Sequence, residues 1–150
     1  MLSIVKNPSA SPLSHIGHLY LFADILISSS TSRKQLQGGR LSEFYAREAV
    51  VFIEQNYASD ITVVDMANRC NLDRSYFGKV FKDVIGQSPQ EFLIRYRMSK
   101  AAELLILTNS SIGDIGSSVG YQNLLHFSRA FKNVYGISPR DYRQKNKIRK

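Results

Sequence analysis

The chain has no tryptophan, a single cysteine and no apolar run long enough to span a bilayer. With only Cys70 there is no internal disulfide and no cysteine-rich zinc site, and reducing cytoplasm is the expected compartment. The apolar stretch 19–27 contains Asp24 and lacks a basic n-region, so neither a secretory leader nor a transmembrane helix is expected there. Acidic residues are also in short supply: 12 Asp and Glu face 20 Lys and Arg, a formal net charge of +8. That balance favours a polyanionic partner, nucleic acid ahead of an anionic membrane, although a merely soluble basic domain carries the same signature. The apolar fraction of 43% suffices for a core and excludes wholesale disorder. At 150 residues the chain makes one ordinary domain or two very small ones.

What the sequence does hold is a repeat. Residues 81–89 read FKDVIGQSP and residues 131–139 read FKNVYGISP. Upstream, Ser111-x-x-Asp114 matches Thr62-x-x-Asp65, Gly116 matches Ala67, Val119 matches Cys70 and Gly120 matches Asn71, at an offset of 49. Downstream, Phe127, Phe131, Gly136 and Pro139 match Phe77, Phe81, Gly86 and Pro89 at an offset of 50. One residue is therefore inserted in the second copy between Gly120 and Phe127, where a turn tolerates it.

Start and stop signals give each copy its elements. Thr62 and Ser111 open short helices with an Asp three residues on. Asp73 caps a helix running to about Val84, and Gly86 ends it in the left-handed conformation that suits glycine. Ser88-Pro89-x-Glu91 opens a helix that continues to about Leu107, roughly 30 Å at 1.5 Å per residue. Ser42 caps an earlier helix to about Gln55. A further helix is expected over 13–28, apolar on both sides, and Ser28–Arg40 reads as a polar linker with a Gly-Gly pair. The expectation is an all-α fold: two helix-turn-helix subdomains joined by a long linker helix and preceded by one extra N-terminal helix. Its parts are 1–40 (lead, helix 13–28 and linker), 41–87 (first subdomain), 88–108 (linker helix) and 109–150 (second subdomain with a basic tail).

A helix-turn-helix presents its second helix to the DNA major groove. Phe77, Val80, Phe81 and Val84 form an inward stripe at i, i+3, i+4 and i+7, as do Phe127, Ala130, Phe131 and Val134 in the second copy. The outward candidates are then Arg74, Ser75, Gly78, Lys79 and Lys82 in the first unit. Those of the second are Leu124, Leu125, Ser128, Arg129 and Lys132. Lys79 and Arg129 are equivalent; either suits guanine O6 and N7, and Arg fits better. Leu124 or Leu125 suits a thymine methyl. Residues 110–150 carry eight basic residues against Asp114 and Asp141, so the electrostatic attraction is expected to come mostly from this half. A rod of roughly 30 Å is comparable to the spacing of about 34 Å between successive major grooves on one side of B-DNA.

Other residues draw attention and carry less. His15 and His18 lie at i, i+3 but no third ligand is near, so no metal is expected. No cofactor motif is present. Cys70, matched to Val119, reads as a small core group rather than a reactive thiol. His126, matched to Tyr76, reads as packing or a phosphate contact rather than a base. The Lys/Arg tail after Tyr142 reads equally as a solvated charge run or as an arm for nucleic acid.

Residues 42–143 resemble the DNA-binding domain of AraC/XylS-type transcription regulators. The resemblance rests on Ile112-x-x-Ile115-Gly116-x-x-Val119-Gly120-Tyr121-x-Asn123, then Phe127-Ser128-Arg129-x-Phe131-Lys132, Gly136-x-Ser138-Pro139 and Tyr142-Arg143. Arg97-x-x-Lys100-Ala101-x-x-Leu104-Leu105 is similar to the family's linker helix. Three departures stand out: Gly116 where Ala is usual, Leu125-His126 where Ser-Tyr is usual, and Gly78 where a polar base-reading residue is frequent. The first unit is therefore expected to read fewer bases than the second, and Gly116 to loosen its helix.

The resemblance implies a regulator that binds double-stranded DNA and engages RNA polymerase, with no catalytic residues. Full-length members often carry an N-terminal effector-binding β-barrel. Residues 1–40 show no strand pattern, so the chain is expected to be the C-terminal part of a longer regulator. A small-molecule effector is expected only if a longer native chain carries that domain, and a homodimer is expected through helix 13–28. The second unit is also similar to regulators of sugar-utilisation operons in Gram-positive bacteria. The rival readings are a non-specific architectural DNA-binding protein, a helical protein-interaction module, and a DNA-repair enzyme with an alkyl-accepting cysteine. The last needs a second reactive cysteine segment, which the sequence lacks.

Overall fold

The computed structural model describes residues 36–147, which form seven helices and no strand. They are α1 (Leu36–Asn56), α2 (Val63–Arg69), α3 (Arg74–Ile85), α4 (Pro89–Leu107), α5 (Ile112–Ser118), α6 (Leu124–Tyr135) and α7 (Pro139–Asn146). The expected helix 13–28, its role in dimerisation, the His15–His18 pair and the last three tail residues lie outside the described residues. The all-α class is as expected from the sequence.

The helix boundaries follow from local chemistry. Thr62 and Asp65 form a reciprocal capping box: the Asp65 N–H donates to Thr62 Oγ1 at 3.3 Å, and the Thr62 N–H donates to Asp65 Oδ2 at 2.7 Å. Ser88 and Glu91 do the same at the start of α4, at 3.2 and 3.0 Å. Ser111 and Ser138 accept from the N–H three residues on, at 3.0 and 3.1 Å. Gly86 and Gly136 end α3 and α6 with φ of 86° and 81°, where a side chain would be strained.

One boundary differs from the sequence reading. α1 begins at Leu36, not at Ser42, so Gly38 and Gly39 lie inside it and not in a linker. Each interior glycine costs about 1 kcal/mol relative to alanine. Extending an existing helix needs no new nucleus, however, and so tolerates poor helix formers near its end.

The described chain divides after Leu93, inside α4, into two compact units. In the first, α1 packs on α2 and α3. Ala46, Ala49, Ile53, Met66, Ala67, Phe77 and Phe81 are buried there. Phe92, on the first turn of α4, sets its ring edge-on to Phe81 with centroids 5.6 Å apart. Ile85 is buried while Val84 is only partly so, a one-residue correction to the expected stripe. Positions i+7 and i+8 both fall near one helical face, so periodicity alone does not choose between them.

In the second unit α5 packs on α6, and α6 on α7. Its core is aromatic: the Phe131 centroid lies 6.0 Å from Phe127, 4.6 Å from Tyr135 and 5.3 Å from Tyr142. Burial pushes the Tyr135 phenol far above its ordinary range, with nearby Tyr142 adding to the shift and Arg95 opposing it. Gly116 has a packing role rather than a loosening one. A Cβ there would stand 3.0 Å from Cγ and Cδ1 of the Phe127 ring. The missing side chain lets α6 approach α5 closely.

Candidate nucleic-acid interface

Each unit builds the same turn. Asn71 (φ 54°) and Gly120 (φ 97°) hold equivalent left-handed positions after α2 and α5. The next residue closes the turn in both: the Leu72 N–H donates to the Ala67 carbonyl at 3.0 Å, and the Tyr121 N–H to the Gly116 carbonyl at 2.9 Å. The second helix then starts from a side-chain cap. Asp73 accepts from the Tyr76 N–H at 3.0 Å. Asn123 accepts from the N–H groups of both Leu125 and His126, at 2.9 and 3.1 Å. Leu72 thus pairs with Tyr121 and Asp73 with Asn123, which identifies Gln122 as the inserted residue.

α3 and α6 carry the candidate residues, and their placement is close to the sequence reading. Arg74, Ser75, Lys79 and Lys82 are exposed on α3, and Gly78 is partly exposed beside them. On α6, Leu124, Leu125, Arg129 and Lys132 are exposed and Ser128 is partly so. Phe77, Phe81, Phe127 and Phe131 face inward with no exposed surface. The five candidates of each unit therefore share the solvent side of one helix.

Two further residues share this side. Tyr76 is 51% exposed, and its counterpart His126 is exposed as well. The sequence signal for Tyr76 is its correspondence to His126, for which packing and a phosphate contact are both expected. In a groove a tyrosine hydroxyl and an imidazole both suit phosphate oxygens.

The tail is partly structural. Arg143 Nε donates to the Leu105 carbonyl at 3.0 Å, and its Nη2 to the Ser110 carbonyl at 2.6 Å. The first of these carbonyls belongs to the last turn of α4, where the helix leaves carbonyls unpaired and favours positive charge. Lys147 Nζ donates to Asn109 Oδ1. These two cations fasten α7 to the end of α4 and the following loop, so they are not a free arm. Arg97 is likewise engaged, stacked 5.7 Å from the centroid of Tyr121.

Cys70 is buried and donates to the Tyr45 carbonyl at 3.6 Å. Burial raises its thiol above the ordinary value, Glu48 adds to that, and Arg69 opposes it. A thiol so placed is a poor nucleophile at neutral pH. Among the described residues no three His, Cys, Asp or Glu side chains cluster as metal ligands, and no helix is long and apolar enough to cross a membrane.

Gly78 is open where Gly116 is not. A Cβ at Gly78 would meet nothing within 4 Å. Gly78→Ala should therefore stabilise the chain by about 1 kcal/mol, the difference in helix propensity. A rise in the urea midpoint at constant m checks this. A lower midpoint would mean the site is packed against something.

A basic, solvent-facing second helix after a tight turn, built twice, defines a helix-turn-helix DNA-binding protein. The family model of the helix-turn-helix domain matches residues 66–145. The chain belongs to the AraC-type family of DNA-binding transcriptional regulators.

Among relatives, it is 32% identical over 136 residues to the Msm operon regulatory protein of Streptococcus mutans, covering 91% of this chain and 49% of that protein. It is 44% identical over 97 residues to the lactose operon transcription activator of Staphylococcus xylosus, covering 65% of this chain and 35% of that one. The chain thus spans half or less of these relatives. Among solved structures, it is similar to the C-terminal domain of AraT, a response regulator from Geobacillus stearothermophilus. The TM-score is 0.68 at 34% identity, over 71% of this chain and 88% of that one.

Proposed function

We propose that the chain is a sequence-specific transcriptional regulator that reads two major-groove segments, one through α3 and one through α6, and controls a sugar-utilisation operon. The observation that carries the first part is the paired set of rows that are exposed or partly exposed: Arg74, Ser75, Gly78, Lys79 and Lys82, and Leu124, Leu125, Ser128, Arg129 and Lys132. Both lie on the helix that a helix-turn-helix inserts into the groove. The likeness to the lactose operon activator supports the second part. On this reading the chain works in the cytoplasm alongside RNA polymerase. A small-molecule effector belongs to this reading only if a longer native chain carries an N-terminal domain to bind it.

Selection from a random duplex pool tests the DNA reading. A consensus should emerge, and each mismatched pair should cost about 1–3 kcal/mol. Lys132→Ala should weaken binding to all sequences alike and lower the salt slope by about 1. Equal binding to every duplex, with only a steep salt dependence, would make the chain an architectural protein instead. Footprinting upstream of sugar-uptake and sugar-catabolic genes tests the operon assignment, which fails if no such region is protected.

A further inference from the structure

We infer that the second unit recognises thymine through its C5-methyl group, using Leu124 and Leu125, whereas the first unit meets its DNA through polar side chains alone at the same places. The inference rests on the reading of α6 as a groove-reading helix. Leu124 and Leu125 form the first turn of α6 and are 51% and 65% exposed. They are not surplus core residues, because Phe127 and Phe131 already fill the inward positions. Leu125, Ser128, Arg129 and Lys132 follow one another at i, i+3, i+4 and i+7, so Leu125 continues the basic row, and Leu124, one turn before Ser128, borders it. At the corresponding places on α3 stand Arg74 and Ser75.

The chemistry leaves few choices for a leucine in this position. Base edges in the major groove present donors, acceptors and a single kind of apolar group, the thymine methyl. A leucine has no hydrogen-bonding atom, so only that methyl rewards its approach. Against any other base edge it strips water from a polar group and returns nothing. Single exposed leucines are ordinary on protein surfaces. Two adjacent ones, set into a cationic face, do not resemble the apolar centre of a protein interface, from which charge is depleted.

The two leucines also sit on a fixed element. Asn123 accepts from the backbone N–H groups of Leu125 and His126, which holds the first turn in place. Their side chains therefore present a formed apolar surface, with little backbone ordering to be done on binding.

The test uses the 150-residue chain and the consensus duplex selected from the random pool. Each thymine is replaced in turn by deoxyuridine, which removes the methyl and leaves the pairing edge unchanged. Within the segment whose base preference Arg129→Ala alters, at least one replacement should weaken binding about fourfold, as expected for one buried methyl-sized group. That penalty should vanish in Leu124→Ala or in Leu125→Ala, a double-mutant cycle between side chain and methyl. Both side chains are exposed, so both variants should melt as the parent does.

A consensus without thymine in that segment overturns the inference, as does one indifferent to deoxyuridine; in both cases the proposed function stands. A penalty that persists in both leucine variants assigns the methyl to another side chain and also overturns it. Failure to select any consensus overturns the proposed function, and this inference with it.

Discussion

Phe131→Ala should destabilise the protein by about 3–5 kcal/mol, the range for emptying a fully buried phenylalanine site. Phe131 has no exposed surface. Its ring is enclosed by Phe127, Tyr135 and Tyr142, with centroids 4.6 to 6.0 Å away. Tyr135 and Tyr142 are held against each other as well, with centroids 5.1 Å apart, and large rings so braced do not readily collapse into the space Phe131 leaves, so the cavity persists and its cost adds to the lost transfer energy. Natural domains have only about 5–15 kcal/mol of stability in total. The melting temperature should therefore fall by more than about 10 °C. Phe131→Leu, which keeps most of the volume, should cost clearly less. A loss under about 1 kcal/mol for Phe131→Ala would mean that the second unit is not held together by this cluster. DNA binding should be lost in parallel, because α6 carries the proposed DNA-reading row on the opposite side of the same helix.

What the sequence revealed of this architecture is what is encoded locally. Asp73, Ser88, Ser111, Gly86 and the inward phenylalanines act within one turn of themselves, so spacing alone places them. The repeat added independent support, since Asn71 and Gly120 both prove left-handed. The boundary at Leu36 was not legible, because two adjacent glycines in a polar stretch read as a break. Arg143 was read within a charged tail, but its partners Leu105 and Ser110 lie 38 and 33 residues away. Pairings at that separation leave no periodic trace. The same holds for Gly116, whose reason is the Phe127 ring and not its own helix. The outward rows were legible because exposure on an amphipathic helix is the complement of its core stripe.

Arg129→Ala should cost about 1–3 kcal/mol on the preferred site and relax the choice of base at one position. Arg129 is exposed near the middle of α6, one turn beyond Leu125. Its guanidinium offers a planar fork that matches guanine O6 and N7 in two parallel hydrogen bonds. The equivalent residue in the first unit, Lys79, offers a point charge on a flexible stem, and Gly78 beside it offers no side chain at all. The two units are therefore unequal, and the second should contribute more of the sequence preference. Arg129→Lys separates charge from geometry: it should keep the salt slope, because one cation remains, yet lose most of the base preference, because the fork is gone. Lys79→Ala should lower affinity with a smaller change in preference. The measurement is binding to the selected duplex and to its single-base variants at two salt concentrations. If Arg129→Ala leaves both affinity and base preference unchanged, the solvent-facing side of α6 is not the face that meets the groove.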